Sequence, residues 1–128
     1  MPIPASWSGR LLSVMRIVVA LAFFEHGTSK FFGFPPFPMP GPLPPLLMAA
    51  GALELVGGAL LVIGLFTRPV AFLLSGQMAI AYFMAHAPKG FFPAENGGEA
   101  AVLYCFAFLY LAAAGGGAWS ADAGRGKP

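Results

Sequence analysis

The chain has 128 residues, enough for one domain, of which 58% are hydrophobic and only 9% are charged. An ordinary soluble domain is about a quarter charged, so this chain cannot cover a water-facing surface and is expected to face a lipid bilayer. The net charge of +2 comes from seven scattered basic residues, a pattern that argues against a nucleic-acid partner, and the single Cys105 excludes a disulfide within one chain.

Four apolar segments follow one another when the sequence is divided at its prolines, glycines and charges. Each approaches the ~20 residues that a helix needs to cross roughly 30 Å of hydrocarbon. Closed strands could also cross a bilayer, but short segments of alternating hydrophobicity are lacking. The sequence therefore predicts one all-α domain over residues 1–128, an antiparallel bundle of four transmembrane helices at about residues 11–32, 46–66, 69–87 and 98–119.

The connections between these segments agree with that prediction. Residues 34–45 are rich in proline, which cannot continue a helix. Only Thr67 and Arg68 separate the second segment from Pro69, so we expect a tight antiparallel hairpin there. The C-terminal sequence SADAGRGKP is polar, and we expect it to be flexible.

Basic residues predict the orientation, because Lys and Arg are enriched in cytoplasmic loops. Lys30 and Lys89 fall on the side away from the termini. The other basic residues fall on the side of both termini: Arg10, Arg16, Arg68, Arg125 and Lys127. We therefore expect an inner-membrane, multi-pass protein with both termini in the cytoplasm.

The stretch FFEHGTSKFF at the end of the first segment concentrates charge in a chain that has little. Lys30 leans toward the N-terminus of its helix and so toward the depth of Glu54, which lies ~5 Å below His26. Gly51 and Gly58 share the face of Glu54 and allow close helix approach, so the carboxylate is expected to point into the bundle. Arg16 lies far below and is expected to reach the cytoplasmic interface.

The third and fourth segments add polar groups to the same outer half. Met78, Tyr82 and His86 form one line on the third helix, from which Gln77 points away. The line is either a packed seam or, if a ligand pocket exists, a place where Tyr82 and His86 line it. Glu99 either joins the polar cluster or acts as a first-turn acid that favours the helix dipole.

Four interpretations of this cluster stay open, since a charged group inside a membrane is rare and by default functional. Glu54 could pair with Lys30 or His26 and only fix the packing. The cluster could bind a small molecule, with a quinone or a sulfur oxyanion as candidates, or Glu54 and His26 could relay protons. A haem or metal between His26 and His86 is disfavoured because no ligand spacing is present and Lys30 opposes a cation, so no metal site is predicted.

The stretches RIVVALAFFEHGTSKFFG, GALELVGGALLVIGLFTRP, AYFMAH and NGGEAAVL resemble, in this order, the DoxX family of small bacterial membrane proteins with four helices. The resemblance runs from about Leu11 to Trp119, and Glu25 departs from its pattern. It implies these positions of interest: Arg16, His26, Gly27, Lys30, Glu54, Gly58, Gly64, Thr67, Arg68 and Glu99.

The resemblance also implies a role. Some relatives resemble the small membrane subunit of thiosulfate:quinone oxidoreductase, others are partners of detoxifying and thiol-handling enzymes, and eukaryotic relatives look like assembly factors. We therefore expect a bacterial inner-membrane subunit or partner in a redox or stress-related complex, with a quinone as candidate cofactor and redox proteins or further copies as partners. It would be an accessory subunit rather than a stand-alone enzyme. The alternative is a non-catalytic scaffold or assembly factor whose buried charges specify packing.

Overall fold

Helices make up the regular structure of this protein, for which a computed structural model describes residues 2–39 and 41–126. No strand occurs among these residues, so the all-α prediction is confirmed for them. Lys127, which the orientation argument counts, lies outside the described residues. The helices are α1 (Ser8–Phe32), α2 (Pro45–Ile63), α3 (Thr67–Ala81), α4 (Pro93–Asn96), α5 (Glu99–Ala114) and α6 (Ala121–Gly124). Short helical turns precede α1 (Ala5–Trp7) and extend α3 (Tyr82–His86 and Ala87–Lys89).

Three of these helical segments are long and apolar enough to cross a membrane. They are Ala5–Phe32, Pro45–Ile63 and Thr67–Lys89. The fourth apolar helix, α5, has 16 residues, a length of ~24 Å against a hydrocarbon core of roughly 30 Å. It ends at Ala114 rather than near Trp119, so the predicted boundary of the fourth helix was wrong.

Glycines and prolines set the ends of α1 and α2. Gly33 and Gly64 follow these helices in the left-handed conformation, with φ of 67° and 73°, which glycine adopts without steric cost. Gly64 also has no room for a side chain, because a Cβ there would lie 3.0 Å from the Arg16 guanidinium carbon. Pro45 occupies the first turn of α2, where its missing N–H costs nothing.

The long helices pack mainly as two pairs, α1 against α2 and α3 against α5. Close approach within the first pair depends on Gly27, where a Cβ would lie 2.8 Å from Leu55 Cγ. The two pairs meet in an apolar core, where the rings of Phe23 and Phe108 pack edge to face with centroids 4.9 Å apart. Its buried members are Ala20, Phe23, Leu61, Ala71, Leu74, Met78, Phe108 and Leu111.

Helices α2 and α3 contact each other less than the members of either pair do. They meet closely at Gly57, where a Cβ would lie 2.9 Å from Leu74 Cδ1. We call the end of the molecule that holds the start of α1 and residues 115–126 the termini end, and the opposite end, with the connections around Phe34 and Gly90, the loop end. Between Gly57 and the loop end, α2 and α3 border a cavity described below.

Arg16 does not reach an interface as expected, because its side chain is buried, with 1% exposed. The guanidinium donates to the carbonyl oxygens of Leu61 (2.8 Å), Val62 (3.3 Å), Trp119 (2.9 Å) and Gly116. The carbonyls of Leu61 and Val62 lie in the last turn of α2, where helical carbonyls lack partners inside the helix and the dipole is negative. Those of Gly116 and Trp119 belong to the non-helical segment after α5. Arg16 therefore joins three segments at the termini end.

The C-terminal segment is docked rather than flexible as far as residue 126. The Asp122 carboxylate accepts hydrogen bonds from the N–H groups of Phe66 (2.9 Å) and Thr67 (2.8 Å) at the start of α3. The Asp122 N–H in turn donates to the Gly64 carbonyl at 2.9 Å. Ser120 caps α6 by accepting from the Ala123 N–H at 3.0 Å. Residues 115–126 thus cover the termini end.

Replacing Arg16 by Leu tests the joint at the termini end. The change leaves several buried carbonyls without a donor, so we expect a loss of about 3 kcal/mol or more in the free energy of unfolding. The matched control is Arg68→Leu, since the exposed Arg68 donates from Nε to the Ala112 carbonyl at 3.0 Å and should cost about 1 kcal/mol or less. Denaturation in detergent checks both, and equal losses would contradict the assignment.

Asp122 predicts a pH-dependent docking of the C-terminal segment. Burial raises the pKa of this carboxyl group, but the N–H groups of Thr67 and Phe66 and the charge of Arg125 lower it more, so that its pKa lies below the ordinary value. The docking is therefore fully stabilised above the ordinary carboxyl pKa and is lost as the pH falls through the lowered one. A nitroxide at position 126 in a Cys105→Ser background should gain mobility only in acid, whereas Asp122→Ala should be mobile throughout. An acid-insensitive wild-type spectrum would exclude this role.

Candidate functional site

A buried ion pair joins α1 to α2 near the loop end. Lys30 Nζ lies 2.7 Å from Glu54 Oε1, and the two side chains are only 10% and 4% exposed. The Lys30 stem reaches Glu54 across Gly51, where a Cβ would lie 3.3 Å from Lys30 Cδ. The glycine one turn before Glu54 therefore makes room for the lysine that neutralises it.

Gln77 connects the ion pair to α3. This contact was not predicted from the sequence. Its Nε2 donates to Glu54 Oε2 at 3.2 Å and to the Ala50 carbonyl at 3.4 Å. Helical spacing placed Gln77 only relative to the line of Met78 on its own helix. The available signal was an amide side chain in an otherwise apolar stretch of α3, since such groups hydrogen-bond between helices. With Gln77, both oxygens of Glu54 are paired.

A cavity of about 770 Å³ borders this ion pair. It lies between α2 and α3, and residues of α1 and α5 also line its wall. Six side chains with polar groups border it: His26, Lys30, Glu54, Gln77, His86 and Tyr104. Most of its wall is apolar, and the apolar members include Leu46, Leu53, Phe72, Leu73, Ile80 and Met84. The arrangement is an apolar cavity with a few convergent polar groups, which is typical of small-molecule sites.

The two histidines border the cavity from opposite helices. His26 is exposed on α1, and its ring packs edge to face on Tyr104 with centroids 5.8 Å apart. His86 Nδ1 lies 3.2 Å from the Asn96 carbonyl oxygen. Since a carbonyl only accepts, Nδ1 carries the proton, and in the neutral ring Nε2 is left as an acceptor.

Four predicted site residues lie outside this cluster. Tyr82 is buried, and its hydroxyl donates to the Phe91 carbonyl and accepts from Asn96 Nδ2 at 3.0 Å, so it holds the connection after α3 rather than lining the cavity. Glu99 is exposed at the first position of α5, where an acid favours the helix dipole. Arg16 and Arg68 bind carbonyls at the termini end.

The described part of the chain holds no cluster of side chains suited to binding a metal ion. No group of three or more His, Cys, Asp or Glu side chains is placed there to hold an ion. At Glu54 the Lys30 ammonium already occupies the position of a cation. The donor set of the cavity therefore fits a neutral organic ligand better than a metal.

The fold and the site define an integral membrane protein of helices with a polar cluster between them. The chain belongs to the DoxX family, whose model matches residues 11–87. A Haemophilus influenzae (strain ATCC 51907 / DSM 11121 / KW20 / Rd) protein described as an uncharacterized protein is 51% identical over 118 residues, 87% of each chain. A second one of the same description and organism is 32% identical over 126 residues, 90% of this chain and 83% of the relative. No solved structure matches this chain.

The ion pair predicts an asymmetry between single and double substitutions. Lys30→Met leaves the Glu54 carboxylate buried without a counter-charge, so we expect a loss of about 3 kcal/mol or more in the free energy of unfolding. Lys30→Met combined with Glu54→Met removes both charges and should recover most of that loss. Glu99→Gln is the control and should change stability by less than about 0.5 kcal/mol. Additive losses in detergent unfolding would mean that the pair does not exist.

Proposed function

We propose that this protein is an inner-membrane subunit or partner of a redox or stress-related complex, and that it binds a quinone in the cavity. The observation that carries the proposal is the ion pair of Lys30 and Glu54 beneath an apolar cavity of about 770 Å³. That volume falls within the range of roughly 300–1,000 Å³ typical of small-molecule sites.

The donors and acceptors of the cavity suit a quinone head group. Lys30 has three N–H donors, and its bond to Glu54 uses one of them. The remaining donors can bind a quinone carbonyl, His26 can donate to a carbonyl or accept from a quinol hydroxyl, and Nε2 of His86 can accept from a quinol hydroxyl. A bound quinone would supply reversible two-electron chemistry, while these residues bind and orient its head. We assign no catalytic residue.

The charge of the cavity favours a quinone over a sulfur oxyanion. Lys30 and Glu54 neutralise each other at 2.7 Å, and the other polar side chains that border the cavity are Gln77, Tyr104 and two histidines. An anion would leave water for an apolar cavity whose cation is already paired, which costs several kcal/mol. A neutral head group avoids this cost.

The proposed topology has four spans with both termini in the cytoplasm. The exposed Arg10, Arg68 and Arg125 lie at the termini end, and Lys89 is exposed at the loop end, which supports this orientation by the positive-inside tendency. The short α5 would span with residues 115–120 completing the crossing. Membrane-bound or soluble redox proteins are the proposed partners, and assembly with further copies stays a prediction.

A scaffold without a ligand is the second candidate, and one observation favours it. The Lys30–Glu54–Gln77 group joins three helices and satisfies both carboxylate oxygens without any added molecule. Buried polar groups of this kind can serve only to specify packing. The scaffold and the quinone site differ in whether the purified protein binds a quinone.

Binding of decylubiquinone to the purified protein in nanodiscs tests the proposal. Glu54→Gln removes the charge that positions Lys30, and we expect its dissociation constant to rise about tenfold or more. His26→Leu should also weaken binding, and this exposed residue can be changed without disturbing the core. Glu99→Gln, a carboxylate outside the cavity, should bind as the wild type does. A folded wild-type protein that does not bind decylubiquinone would favour the scaffold.

A further inference from the structure

We infer that the ligand enters its site from the bilayer through a cleft between α2 and α3, and that it is a long-tailed lipid-soluble molecule with an uncharged head. This inference rests on the proposed function, whose site it extends. We define the α2–α3 cleft by the residues on its two edges: Leu53 on α2, and Phe72, Leu73, Gly76 and Ile80 on α3.

The cleft residues line the cavity and are also exposed at the outer surface of the protein. Phe72 is 67% exposed, Ile80 is 60% exposed and Leu53 is 37% exposed, and all three border the cavity. In a membrane such apolar side chains face acyl chains. The cavity is therefore continuous with the lipid phase along the cleft.

Gly76 marks the point where the cleft is open. It lies on the cavity wall, and a Cβ added there would meet no atom within 4 Å. At Gly57, where the same two helices touch, a Cβ would lie 2.9 Å from Leu74 Cδ1. Small residues thus have opposite uses on the two helices: Gly57 permits contact, whereas Gly76 leaves an opening.

The connections at the loop end are held by contacts outside the cavity wall. The Phe37 ring, from the proline-rich connection, lies over the Lys30 ammonium with 5.8 Å between Nζ and the ring centroid. The connection after α3 is held by Asn96, whose Nδ2 donates to the Gly90 carbonyl at 2.7 Å and to the Tyr82 hydroxyl at 3.0 Å. Neither Phe37 nor Asn96 borders the cavity, whose wall toward this end carries the exposed apolar side chains of Leu46 and Met84.

Position and polarity together define the ligand class. The polar groups lie at the inner side of the cavity, on Lys30, Glu54 and Gln77, while the cleft leading to them is apolar. A ligand that fills both carries an uncharged hydrogen-bonding head and an apolar tail that projects between α2 and α3 into the acyl chains. Its tail is part of the recognition and not only a membrane anchor.

The test compares two quinones with the same head, 2,3-dimethoxy-5-methylbenzoquinone without a tail and decylubiquinone, on the protein in nanodiscs. Gly76→Phe places a ring in the cleft, so decylubiquinone affinity should fall about tenfold or more. Affinity for the tailless quinone should stay within about twofold, since the polar groups are unchanged. Gly124→Phe, whose Cβ also meets no atom within 4 Å but which lies at the termini end, should bind both quinones as the wild type does.

Gly76→Leu introduces a smaller side chain into the cleft and serves if Gly76→Phe does not fold. It should also lower the affinity for decylubiquinone. Unchanged decylubiquinone affinity in a folded Gly76 variant, with binding still lost in Glu54→Gln, would overturn the cleft and leave the proposed function in place. Failure of the wild type to bind either quinone would overturn both.

Discussion

The rest of the structure depends on the ion pair between Lys30 of α1 and Glu54 of α2. An unpaired carboxylate at such a position costs several kcal/mol in hydrocarbon, and the 2.7 Å contact between Lys30 and Glu54 offsets that cost. Gln77 pairs the second oxygen and brings in α3. The result is a polar site of zero net charge whose position is fixed by three helices and whose surroundings are apolar.

At the termini end, backbone groups stabilise the charged side chains. Arg16 is stabilised by hydrogen bonds to carbonyls in the last turn of α2 and in the non-helical segment after α5, and Asp122 by the N–H groups at the start of α3. The end of α2 that meets Arg16 and the start of α3 that meets Asp122 each present the helix dipole of opposite sign. Backbone groups thus hold the helices together at this end, whereas toward the loop end α2 and α3 are joined through the Gln77 side chain and border the cavity.

The sequence predicted those features that depend on the residues of a single segment. Apolar length located α1, α2 and α3, and the helical spacing of Gly51 and Glu54 indicated the face on which the glutamate lies. The errors concern contacts between distant segments. Arg16 binds carbonyls of residues 61 and 119, and Asp122 caps a helix that begins at Thr67. Helical spacing within one segment carries no information on such partners, so it also missed Gln77 and the fold-back after Ala114.

The distance between the Lys30 ammonium and the Glu54 carboxyl group in a lipid bilayer tests the central claim most directly. Solid-state NMR on protein with ¹⁵N-lysine and ¹³C-glutamate, assigned with Lys30→Arg, reports both their contact and the ionisation of the carboxyl group. We expect an ionised Glu54 in direct contact with Lys30 Nζ, in keeping with the 2.7 Å separation. A protonated Glu54 with no dipolar coupling to Lys30 would contradict the account.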